Sequence, residues 1–167
     1  MVALKDIKKE ETLTLNVVHV SGAGHDGKIY CGGRWVEKGV LYNEYCVEIS
    51  VACDEKDYLR RECIDRGQVC FGGGPIRRLA NGSIESSPRV FSPDDLIDEH
   101  LTYIQSRLAV KTKKNYPDNT FLIIPLVPTT PLMAGEWIST LGKLQSASSP
   151  FCGLFVYDTV SQRKALL

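Results

Sequence analysis

Phe121-Leu122-Ile123-Ile124-Pro125-Leu126-Val127, opened by Thr120, is the longest apolar run in the chain. Seven residues are far short of the roughly 20 that a membrane-spanning helix needs. A short, nearly continuous apolar stretch bounded by turn residues instead reads as a strand buried on both faces. Such a strand needs layers above and below it, so its flanks decide the architecture. On its C-terminal side Pro128 to Pro131 break the run. Met133, Trp137, Ile138, Leu141 and Leu144 then mark a helix on about residues 133–145, and Phe151 to Asp158 resume as a strand. On its N-terminal side Asn115-Tyr116-Pro117-Asp118-Asn119 ends a preceding helix. That helix starts at Ser92-Pro93-Asp94-Asp95, an N-cap serine with proline at the first helical position and a reciprocal acid three residues on. Ile97, Leu101, Ile104 and Leu108 supply one apolar face and carry it to Lys114 or Asn115.

Further toward the N-terminus the period changes to two. Residues 12–20 alternate Leu13, Leu15 and Val17 with polar partners; residues 28–36 follow after the turn Ser21 to Gly27, and residues 44–52 form a third strand. In the third, Tyr45, Val47, Ile49 and Val51 face one way, and Cys46, Glu48 and Ser50 the other. Asp54 to Gly67 has the acidic first turn, basic later turn and terminal glycine of a short helix. Val69 to about residue 90 is irregular structure or a small hairpin. A hairpin sheet continued by strand, helix and strand with right-handed crossovers predicts an α/β domain with a mixed central sheet flanked by helices in three layers.

The chain has 167 residues, suiting one domain over residues 1–167. Apolar residues make up 43% and charged residues 24%, which excludes disordered, collagen-like and coiled-coil classes. Twenty Lys and Arg balance twenty Asp and Glu, so no global basic field recruits nucleic acid or an anionic membrane. The charged N-terminus lacks a signal-peptide pattern, and cytoplasm is the expected location. There the six cysteines are expected as thiols, and the Asn81-Gly82-Ser83 sequon as unused. No C-x-x-C pair suggests zinc.

The order of elements, with Asp26 just before the second strand and Glu48 in Val47-Glu48-Ile49-Ser50, resembles the PD-(D/E)xK, restriction-endonuclease-like superfamily. That family's core is a helix, a three-strand meander, a helix and a further strand. An acid stands at its second strand and a (D/E)-x-K motif on its third. The resemblance extends over about residues 1–127. It implies that Asp26 and Glu48 bind Mg²⁺ against a phosphate oxygen while a lysine activates water. Ser50 stands where the motif's lysine would be; the resemblance to members that supply this lysine from a helix implies Lys56 on the short helix or Lys111 on the long one as candidates to substitute. The bland alternatives are a solvated Glu48 on an exposed sheet face and a Lys111-Lys113-Lys114 helix end that answers the helix dipole.

Other motifs point elsewhere. Gly72-Gly73-Gly74-Pro75-Ile76-Arg77-Arg78 offers backbone N–H groups and guanidinium groups to an anion, but it lacks the ending of a P-loop. Arg77 and Arg78, with Arg60, Arg61 and Arg89, are the candidate nucleic-acid-binding surface. Cys31 lacks the histidine and acid that would make it a nucleophile and reads as a small packed hydrophobe. Trp35 and Trp137 read as core anchors, or Trp35 as a stacking platform. The expected function is that of a degenerate, non-catalytic nuclease relative that binds nucleic acid or a protein partner. The alternative is an active Mg²⁺-dependent phosphodiesterase. Mg²⁺ is the expected cofactor only in the catalytic form, and no membrane partner is expected.

Overall fold

The computed structural model describes residues 13–19, 24–128, 130–144 and 150–167. The meander runs through β1 (Leu13–His19), β2 (Gly27–Gly33) and β3 (Glu44–Ile49), with a helical turn α1 (Arg34–Glu37) between β2 and β3. This turn takes Trp35 and Val36 out of the second strand. The chain departs at Gly33, whose φ of 105 suits glycine and few other residues. α2 (Asp57–Asp65) follows, then a separate hairpin of β4 (Ile76–Arg78) and β5 (Ile84–Ser86), and the long α3 (Pro93–Lys111). β6 (Thr120–Leu126), α4 (Ala134–Leu144), β7 (Gly153–Asp158) and a short β8 (Lys164–Leu166) complete the chain.

The six-stranded sheet has the order β1-β2-β3-β6-β7-β8. β3, β6 and β7 run parallel, and β1, β2 and β8 add antiparallel partners. From β3 the parallel strands step in one direction only. Right-handed crossovers therefore lay α3 and α4 on the same face, where they pack against each other. Below them Ile104, Leu108, Trp137 and Leu144 meet Leu122, Ile124, Leu126, Leu154 and Val156 in the main core.

The strand expected to be buried on both sides alternates instead. Thr120, Leu122, Ile124 and Leu126 are buried, and Phe121, Ile123 and Pro125 are half-buried. The α/β class and mixed sheet stand. No helix among the described residues is long and apolar enough to cross a membrane.

α3 begins as its sequence requires. Ser92 Oγ accepts from Asp95 N at 3.2 Å, and Asp95 Oδ2 accepts from Ser92 N at 3.0 Å. Its buried stripe is Ile97, His100, Ile104 and Leu108, so His100 takes the place that the sequence reading assigned to Leu101. Leu101 is half-buried at the flank of the core. The triple glycine has a packing explanation: a Cβ on Gly74 would lie 1.8 Å from Ser87 O, and Gly73, with φ of 70, sits against the Phe91 ring. The backbone of residues 73 and 74 is buried and Gly74 O accepts from Arg60 Nη2 at 2.7 Å, so it does not form an open anion cradle.

Candidate functional site

Glu48 lies in parallel register with Leu122, which places its side chain on the face that α3 covers. Hence Glu48 is only 5% exposed, against the expectation of a solvated carboxylate. A buried carboxylate needs partners to remain charged, and two converge on it. The Lys111 ammonium, at the last residue of α3, pairs with Oε1. Tyr116 donates its hydroxyl to the same oxygen at 3.1 Å. Oε2 keeps no hydrogen-bond partner among the described residues.

Tyr116 comes from the connection between α3 and β6, where sequence reasoning saw only a helix stop. Its ring packs on Phe151 with centroids 5.2 Å apart. Burial, then the hydrogen bond to Glu48 and the charges of Glu48 and Asp26, push its phenol up to about 12. No residue-type motif marks Tyr116. The only signal was a polar-tipped aromatic directly after a helix that ends in lysine.

Asp26 sits at the entrance to β2 and is exposed. Its N–H donates to Val47 O at 2.9 Å, and its Oδ2 accepts from Ile49 N at 2.7 Å. The side chain thus caps the C-terminal end of β3 one residue beyond Glu48. Its charge also reaches the Tyr116 phenol. Asp26, Glu48 and Lys111 are therefore assembled around residues 47–49 of one strand, although they are separated by 22 and 63 positions in sequence.

Lys56 goes elsewhere. It caps α2 and lines a shallow cleft with Pro75, Ile76, Arg77, Glu85 and Ser87. Of the two lysines weighed as substitutes, Lys111 is the one seated on Glu48.

Among the described residues no group of three or more His, Cys, Asp or Glu is placed to hold a metal ion. Two carboxylates with water and a substrate phosphate suit Mg²⁺, which retains much of its hydration, and do not suit zinc. The open oxygens for such an ion are Glu48 Oε2 and Asp26 Oδ1.

The arginines are not gathered on one surface. Arg77 and Arg78 are consecutive on β4 and diverge. Arg77 Nε donates to Glu85 at 2.7 Å, and Arg78 Nη1 to Glu62 at 3.0 Å. That pairing with Arg78, helped by Arg66, holds the Glu62 carboxyl below its ordinary value. Arg61 pairs with Asp57, Arg60 with Asp54, and Arg89 with Asp95 while stacking over Phe91. Each guanidinium is offset by a carboxylate, which weakens it as a phosphate contact.

The cysteines are all free thiols, and burial raises those of Cys31, Cys63 and Cys152, the last to about 11. A raised thiol is a poor nucleophile at neutral pH. Comparison with protein-family models, curated proteins and solved structures finds no match to this chain.

Proposed function

We propose that the protein is a restriction-endonuclease-like, Mg²⁺-dependent phosphodiesterase whose water-activating lysine has moved from the third strand to the end of the long helix. The observation that carries this reading is the Lys111 ammonium on the Glu48 carboxylate, because Ser50 had left the motif without its cation. Mg²⁺ would supply charge for a phosphate oxygen and a bound water. Glu48 and Asp26 would hold that ion. Lys111 would orient the attacking water by donating a hydrogen bond to it once the ion has drawn Glu48 away. Tyr116 would keep Glu48 aimed through its hydrogen bond. A reducing, cytosolic setting agrees with six free thiols.

A second reading rests on a specific observation, the burial of Glu48. With the Glu48 side chain 7% exposed and its Oε1 already accepting from Lys111 and Tyr116, the pair would serve as a lock between α3 and β3 in a non-catalytic binding scaffold. The two readings part in one assay. Purified protein is incubated with supercoiled plasmid and with single-stranded RNA, in Mg²⁺, in Mn²⁺ and in EDTA. Catalysis requires nicking that EDTA abolishes and that a folded Glu48→Gln/Lys111→Met double variant lacks. Absence of nicking by the parent chain under every condition rejects the phosphodiesterase. Nicking that survives in the double variant rejects this site.

A further inference from the structure

The two edges of the main sheet are built differently. β8 closes one edge with three residues, begins with Lys164 and follows Arg163. A short, charged edge resists pairing with another chain. β1 closes the other with seven residues, and Leu13-Thr14-Leu15-Asn16-Val17-Val18-His19 contains no Lys, Arg, Asp, Glu or Pro. It pairs in full register with β2 on one side and with no described residue on the other. Residues 14–19 are exposed, with Leu15 at 57%, Val17 at 72% and Val18 at 39%. Among the described residues nothing pairs with the outer backbone ladder of this strand, and its own sequence offers no charge or proline beside those three apolar side chains.

We propose that β1 is a docking strand for a second copy of this chain, joined antiparallel about a twofold axis at Asn16. The sequence of the strand is complementary to itself in that register. Leu15 falls opposite Val17 of the second copy and Val17 opposite Leu15, on the sheet face that Ile29 and Cys31 continue. Thr14 meets Val18 on the other face, and all seven residues are paired. A two-fold interface uses one patch twice, so a self-complementary strand is the form it requires. Formal net charge of zero removes the long-range repulsion that would oppose association. Pairing would join two six-stranded sheets into one and bury the exposed apolar pair. This inference does not depend on the catalytic reading.

Sedimentation of the full chain under reducing conditions, from low micromolar to several hundred micromolar, is expected to show its 18.6 kDa mass doubling with concentration. Val17→Lys, at an exposed position that leaves the fold intact, is expected to remain monomeric throughout, with circular dichroism as the folding control. Register is read by mild oxidation of cysteine variants. Asn16→Cys should give a disulfide-linked dimer beyond the background of the parent chain, whereas Thr14→Cys, whose counterpart lies several residues away along the ladder, should not. A parent chain that stays monomeric, a dimer indifferent to Val17→Lys, or equal cross-linking by both cysteine variants overturns the proposal.

Discussion

Glu48 and Lys111 owe their pairing to burial on both sides of the contact. Their side chains are 7% and 16% exposed, so each charge has little water to replace its partner. Removing one partner of a buried pair strands the other, which costs about 3 to 5 kcal/mol, while replacing both leaves no orphan. Lys111→Met alone and Glu48→Gln alone are therefore expected to lower unfolding free energy, the former more because it leaves an uncompensated carboxylate. The double variant is expected to be more stable than the sum of the two losses allows, with a coupling of about 0.5 to 3 kcal/mol in urea melts. Strict additivity would mean that the two side chains do not interact. The same cycle shows which variant is sufficiently stable for the cleavage assay.

α3 joins the site to the core and contributes side chains to both. Its N-terminal capping box begins the helix at Ser92, and its last residue delivers the site's cation. Between them Ile104 is fully buried, but Leu101 lies at the margin of the cluster. Truncating a fully buried isoleucine to alanine costs about 2 to 5 kcal/mol from lost transfer energy and the cavity left behind. Ile104→Ala is expected in that range by denaturant midpoint, and Leu101→Ala clearly below it. Equal losses would contradict the observed rotation of the helix. On an ideal helix His100 and Leu101 flank the line of Ile97, Ile104 and Leu108 on opposite sides; the structure buries the His100 flank, where Nδ1 lies 2.6 Å from Leu96 O, and leaves Leu101 half-buried against the main core.

Across the whole molecule, the deepest burial lies where α3 and α4 meet the central strands, although β3 also buries Tyr45 and Val47 on its other face. Leu122, Ile124, Leu126 and Val156 are entirely inaccessible beneath α3 and α4, whereas residues 14–19 of β1 are exposed and the β4-β5 hairpin stands as a separate two-stranded sheet. Local opening costs least where few apolar contacts would be lost. Amide hydrogen exchange of the chain is expected to be slowest in β6 and its parallel neighbours β3 and β7, and fastest in β4 and β5. At dilute, monomeric concentration β1 should join the fast group. Uniform protection across the six strands would refute this ordering.

What the sequence by itself determined was everything carried by local periodicity and chain punctuation. The capped start of α3, the apolar strand at Thr120–Leu126, the helix at Trp137 and the alternation that sets Glu48 apart from Val47 all follow from neighbouring residues. The side of the sheet toward which Glu48 turns was not legible, since alternation states that two faces differ without stating which one a helix will cover. That was decided by strand order: β3, β6 and β7 step one way, the crossovers are right-handed, and both helices land on the Glu48 face. The same event buried the carboxylate, brought Lys111 across 63 positions to meet it and placed Tyr116 alongside. A side chain's partners across such separations depend on how elements pack in three dimensions. No spacing along the chain encodes that choice, so only the tertiary structure decided which lysine belongs to the site.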